Sequence, residues 1–338
     1  MDKLRMRQFP PVESRSGIGA AALADAVRDL DRPMVFRGAV ADWPVVKAAE
    51  AGTDRLVRYL KTGDAGRSCP TFRQARGDGK FSYGDAVEGL NFQRADIPLS
   101  VTLDRLMALR GTGSDEHIYI QSAPLKDYMP KLKAANALPG VDAEPRIWIG
   151  NASVTQIHFD LYENLVCMVA GRKRFVLFPP EQVANLYMGP VEMTVSGVPT
   201  AMPDLDHPDF TKHPRFARAL EAATVADLEP GDVLYMPYMW WHHVVSTADL
   251  NVQVNYWWNP AGPEMGQAMH ALLFAMLNVR DLPPSQTQAW KAMFDHFVFG
   301  EGAMANHLPA DKRGIMGTLT PDRRTAIRRQ LGKSIQDS

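Results

Sequence analysis

The chain has 338 residues, 46% of them hydrophobic, and 37 basic side chains stand against 38 acidic ones. That length supports a large core without staples, while two cysteines, Cys69 and Cys167, exclude a disulfide framework and a cysteine-built zinc site. A net charge of −1 argues against an electrostatic nucleic-acid binder. Met1 to Arg5 lacks the apolar run of a signal peptide, and the longest uncharged apolar stretch, Met265 to Val279, falls short of the roughly 20 residues that span a bilayer. A soluble, cytoplasmic protein is expected.

In chain order, Ala20 to Leu30 carries apolar residues at helical spacing, and Asp31-Arg32-Pro33 ends it. Pro33 to Gly38 reads as a short strand. Thr53 is a candidate N-cap for a helix through Tyr59, and Thr102 for one through Leu109. From Tyr119 the texture changes to short apolar runs broken by turn residues. Ile118–Gln121, Arg146–Ile149, Ile157–Phe159, Leu165–Val169, Phe175–Phe178, Val233–Met236, Val244–Val245 and Val252–Trp257 all suit strands. So many short strands after one helical region predict an antiparallel barrel or sandwich rather than a parallel sheet. Pro199 to Pro214, rich in Pro, Asp and His, reads as a long surface insertion. After Pro263 helices return. Met265, Met269, Leu272, Leu273, Met276 and Leu277 share one helix face, and Trp290, Met293, Phe294 and Phe297 share another after the break at Asp281-Leu282-Pro283-Pro284. Thr320-Pro321 opens a last helix, with Thr320 as N-cap.

His158-Phe159-Asp160 is a His-x-Asp pair whose side chains, two apart on a strand, point to one face. Alone the pattern is weak, since nine histidines and 38 acidic residues give about one such match by chance. A second match, His207-Pro208-Asp209, sits in a polar loop and is set aside. His158 and Asp160 gain weight from Gly231-Asp232-Val233-Leu234-Tyr235-Met236-Pro237 and Trp240-Trp241-His242-His243 downstream. Two histidines and one carboxylate on one face of a metal ion leave positions open, as in non-haem iron oxygenases. Adjacent strand residues face opposite ways, so His242 and His243 cannot both reach the metal, and parity alone does not choose between them.

These motifs, with Asn164, Gly171-Arg172-Lys173-Arg174, Leu177-Phe178-Pro179-Pro180 and Val254-Asn255-Tyr256-Trp257, resemble the JmjC/cupin-like 2-oxoglutarate oxygenases. Within that superfamily the chain is most similar to the asparaginyl hydroxylase that inhibits hypoxia-inducible factor and to its bacterial cupin-like relatives. The resemblance runs from about residue 30 to 260. It implies a double-stranded β-helix with an N-terminal α/β elaboration and C-terminal helices. It also implies a catalytic domain over residues 1–262 and a helical, dimerising region over 263–338. It implies iron ligands His158, Asp160 and His242, Lys173 for the distal carboxylate of 2-oxoglutarate, hydroxyls from Tyr119 and Thr155, and amides from Asn164 and Asn255 near the co-substrate. Just after the His-x-Asp, where the asparaginyl hydroxylase is polar, this chain has Leu161-Tyr162-Glu163, so the substrate does not transfer.

The expected function is Fe(II)- and 2-oxoglutarate-dependent oxygenation, with succinate and carbon dioxide as co-products and hydroxylation of a protein side chain or small molecule as the outcome. N-Demethylation uses the same site residues. A non-catalytic cupin-like binding protein is the alternative from another class, and a zinc hydrolase would give Lys173 and Thr155 no role. By the resemblance, the expected partner is a second copy of the chain, docked through the C-terminal helices.

Overall fold

Alternation along the strands sorts the chain into two faces. In Leu165–Val169, Leu165, Cys167 and Val169 pack in one cluster, whereas Val166 and Met168 pack in another. Both faces are buried, which is why this strand reads in the sequence as an unbroken apolar run. The computed structural model describes residues 9–84, 87–195, 197–261, 265–302 and 304–336. Met1 to Arg5 and Pro263 lie outside them. The chain divides into two units, Met1–Trp258 and Asn259–Ser338, with the division a few residues before the expected boundary.

In the first unit, β1 (Ser14–Ser16), β2 (Met34–Arg37), β3 (Ser68–Gln74), β4 (Lys80–Phe81) and β5 (Gln93–Pro98) precede the strands that build the centre. Those are β6 (His117–Pro124), β7 (Arg146–Gly150), β8 (Ser153–Phe159), β9 (Glu163–Ala170) and β10 (Lys173–Phe178). The set closes with β11 (Thr224–Leu228), β12 (Val233–Met236), β13 (Trp241–Ser246) and β14 (Asn251–Trp258). One nine-stranded sheet runs β1-β2-β12-β9-β14-β7-β6-β3-β5, and a five-stranded sheet runs β11-β10-β13-β8-β4. The central pairings are antiparallel; β1 with β2 and β4 with β8 are parallel pairs at the margins. This is the two-sheet jelly roll of a double-stranded β-helix.

Helices Pro44–Glu50, Thr53–Gly63 and Leu99–Leu109 cover the outer face of the larger sheet. Their Val46, Leu56, Leu60, Leu99 and Leu103 share a core with Ile147, Ile149, Leu165 and Val254. The inner faces of the two sheets form a second core from Val166, Met168, Phe175, Leu177, Leu234 and Val244.

Several local expectations are corrected. Gly52, not Thr53, caps the second of these helices, and Pro98 caps the third. Thr102 lies inside that helix, where its hydroxyl donates back to the Pro98 carbonyl at 3.4 Å. The segment Pro199 to Pro214 is a surface insertion only in its second half, where His207, Asp209, Phe210, Thr211, Lys212 and Pro214 are exposed. Thr200, Ala201, Leu205, Asp206 and His213 are buried, and the Ala201 amide donates to the Ile157 carbonyl at 2.7 Å. A short bridge to His158 therefore hides the first half of a segment whose composition reads as solvent-facing throughout.

In the second unit the helices are Ala268–Asn278, Pro284–Phe297 and Pro321–Gln336. Thr320 caps the last one, its Oγ1 accepting from the Arg323 amide at 3.3 Å. Among the described residues no helix is long and apolar enough to cross a membrane.

Candidate metal centre and co-substrate pocket

His158 and His242 face each other directly across the β8–β13 pair. Their ring centroids are 4.2 Å apart, and His242 Nε2 lies 3.7 Å from Asp160 Oδ2. One potential ligand atom from each of His158, Asp160 and His242 falls within 4.8 Å of the others. His158 Nδ1 sits 2.8 Å from the Gln156 carbonyl and His242 Nδ1 3.0 Å from the Trp240 carbonyl. A carbonyl only accepts, so each Nδ1 carries the proton and each Nε2 keeps a free lone pair, the tautomer a metal ligand requires. Burial, reinforced by the neighbouring His158, holds His242 well below the usual histidine range and so keeps it neutral. Burial also pushes the Asp160 carboxyl up, opposed by His158 and by the hydrogen bond from Asn164. The Asp160 carbonyl accepts from the Met239 amide at 3.0 Å, and Met239 adopts φ of 62° to make that turn. His243 alternates away from the cavity, which His242 lines.

The same cavity is lined by Tyr119, Thr155, Asn164, Lys173 and Asn255, so all the residues expected at the site are brought together. Thr155 and His158 are three apart and would oppose each other on a regular strand. The register explains their company: His242 pairs with His158 but Val244 with Thr155, so Gln156 and Ile157 on β8 stand against His243 alone. That bulge adds one residue and turns Thr155 back into the cavity.

Lys173 opens β10 and is 3% exposed. Among the described residues no hydrogen bond or ion pair reaches its ammonium, which lies 5.7 Å from the Tyr119 ring. Burial alone lowers its pKa to about 7. Its neighbours turn outward, Arg172 to Glu229 at 3.1 Å and Arg174 to Asp227 at 3.6 Å. Gly171 makes this turn at φ of 79°, where a Cβ would meet Asn251 Oδ1 at 2.3 Å. Gly150 is required for a different reason: a Cβ there would lie 2.9 Å from the Tyr119 ring.

Sequence reasoning missed Gln121, Trp148, Gln253 and the position of Trp257, all lining the cavity. The signal for Gln253 was present. Gln253 and Asn255 are polar at period two inside an apolar strand, which marks a buried polar face. Tyr162, half exposed, stacks on Trp257 at 5.8 Å and 10°. The second His-x-Asp is a turn: Asp209 Oδ1 accepts from the Thr211 and Lys212 amides at 2.9 and 3.0 Å.

A family described as a cupin-like domain matches residues 20–263 of the chain. A human protein named bifunctional peptidase and (3S)-lysyl hydroxylase JMJD7 is 28% identical over 271 residues, covering 68% of this chain and 78% of the relative. Lysine-specific demethylase 8 of Danio rerio is 27% identical over 241 residues, covering 68% and 54%. The tRNA wybutosine-synthesizing protein 5 of Gallus gallus is 41% identical over 101 residues, covering 30% and 29%. The chain thus spans little more than half of the second of these relatives and under a third of the last.

Proposed function

The chain belongs to the cupin-like family, and on that premise we propose that it is an Fe(II)- and 2-oxoglutarate-dependent oxygenase that hydroxylates a C–H bond of a protein side chain or small molecule. The observation that carries this reading is the unpaired, buried Lys173 ammonium in the same cavity as the His–Asp–His cluster. A metal centre alone gives no reason to bury that cation. A dicarboxylate that chelates a metal at one end and needs a countercharge at the other does. Names of the relatives, a lysyl hydroxylase and a demethylase, support oxidative chemistry at carbon. The order of the motifs, similar to the asparaginyl hydroxylase, favours hydroxylation as the outcome.

His158 Nε2, a carboxylate oxygen of Asp160 and His242 Nε2 would hold the iron. When bound, ferrous iron would supply dioxygen activation coupled to conversion of 2-oxoglutarate to succinate and carbon dioxide. The chain contributes orientation and dryness. Lys173, with Tyr119 and Thr155 beside it, fixes the distal carboxylate, while Phe72, Phe81 and Phe175 line the cavity and keep water from it. For assembly we propose a homodimer through the helices of the second unit.

The test is succinate formation with purified chain, Fe(II) and 2-oxoglutarate, together with mass spectrometry of candidate substrates for the gain of one oxygen atom. His158→Ala and Asp160→Ala should abolish turnover with the fold retained. Wild-type turnover in both variants sinks the metal assignment. A chain that binds 2-oxoglutarate and never forms succinate is instead a cupin-like binding protein.

A further inference from the structure

A file of side-chain amides runs along the interior of the barrel to Asp160. Gln253 Nε2 donates to Asn255 Oδ1 at 2.8 Å, and Asn255 Nδ2 donates to Asn164 Oδ1 at 3.0 Å. Asn164 Nδ2 then donates to Asp160 Oδ2 at 3.2 Å. An amide can present either end to a neighbour with little change of shape, so its orientation has to be imposed from a fixed terminus. Here the terminus is the carboxylate. A carboxylate that holds a metal only accepts, so Asn164 turns its nitrogen toward Asp160 and its oxygen away. That oxygen demands the nitrogen of Asn255, and the oxygen of Asn255 demands the nitrogen of Gln253. All three amides are buried and line the same cavity as the His–Asp–His cluster.

Gln253 Oε1 is buried and has no partner among the described residues. Val252 and Val254 pack on the other side of the sheet, and Gln253 faces the cavity. What the glutamine does supply is the one N–H that keeps Asn255, and so Asn164, from turning over.

We propose that Gln253 is a positioning residue for the Asp160 carboxylate, acting through Asn255 and Asn164. The inference rests on reading His158, Asp160 and His242 as a metal centre.

The test uses the full chain and Mn(II) alone, with affinity read by calorimetry and thermal stability read beside it. Gln253→Glu keeps the shape and, read across a pH series that extends above the range in which burial keeps its carboxyl protonated, can there only accept. Asn255 must then give its nitrogen to residue 253, and the reversal propagates until Asn164 sets an oxygen against the Asp160 carboxylate. Mn(II) affinity should fall about tenfold or more. Gln253→Met removes the donor and the orphaned oxygen together, so affinity should fall by less, without loss of thermal stability. Should Gln253→Glu fail to fold, Gln253→Met decides alone. Wild-type affinity in the variants overturns the inference, as does a loss of affinity that merely tracks a loss of stability. A wild-type chain that binds no Mn(II) overturns the metal centre itself, and this inference with it.

Discussion

A lysine with 3% exposure and, among the described residues, no ion-pair partner is held against its preference for water, and its proton is the measure of that tension. Its pKa is lowered from 10.5 to about 7 in the free protein. A carboxylate placed against it favours the charged form and raises that pKa, so co-substrate binding takes up a proton wherever the free lysine is neutral. The sign follows: affinity for 2-oxoglutarate is greatest below about pH 7 and falls as pH rises above it. The slope should approach about tenfold per pH unit until the pKa of the bound form is reached. Calorimetry in buffers of different ionisation enthalpy should record the uptake, and a flat profile would remove Lys173 from the site. Lys173→Ala should cost about 1.5–3 kcal/mol in co-substrate binding, or roughly a ten- to hundredfold rise in KM for 2-oxoglutarate. At this scale His158, Asp160 and Lys173 are legible because each stands in a short motif with its own turn residues. Gln253 is not legible as a functional residue, because its role exists only through two amides brought beside it by other parts of the chain.

Among the elements, β8 decides which side chains share the cavity. Without the Gln156–Ile157 bulge, Thr155 would face the opposite side of the sheet from His158. Deleting Gln156 should restore a regular strand, leaving His158 and Asp160 in place while turning Thr155 and the residues before it over. Mn(II) affinity should therefore survive, while 2-oxoglutarate affinity falls; equal loss of both would show that the bulge supports the metal residues too. No residue in Ser153–Phe159 announces this extra position, since the bulge is set by pairing with a strand more than eighty residues away. The same cause explains the first half of Pro199–Pro214, whose burial depends on a bridge to β8 rather than on its own composition. Cap positions erred more simply. Thr53 and Thr102 have the right chemistry, yet Gly52 and Pro98 already stand where the backbone turns into each helix, whereas Thr320 has no such competitor and caps as expected. The central strands were legible because burial on both faces leaves an apolar signal that turn residues punctuate sharply.

At the scale of the whole molecule, the second unit raises the question of what covers its helices. Ala268–Asn278 carries no Asp, Glu, Lys or Arg, yet none of its residues is buried. Leu272, Phe274 and Leu277 are exposed, as are Trp290, Met293 and Phe297 on the next helix and Val298 and Phe299 beyond it. A helix apolar around its circumference belongs in an interior, and exposed apolar clusters of this kind mark association surfaces. The proposed occupant is a second copy of the chain, because two-fold homodimers are the commonest closed assembly and their interfaces are the most apolar. Light scattering at micromolar concentration should then give twice the mass of 37.5 kDa. Leu277, at 78% exposure, is the most informative position. Leu277→Glu places a charge where the monomer has nothing to lose, so it should yield a folded monomer with unchanged Mn(II) affinity. Monomeric wild-type protein at that concentration would remove the dimer. A dimer untouched by Leu277→Glu would move the interface off this helix, because a buried, unpaired glutamate at its centre costs too much for association to survive.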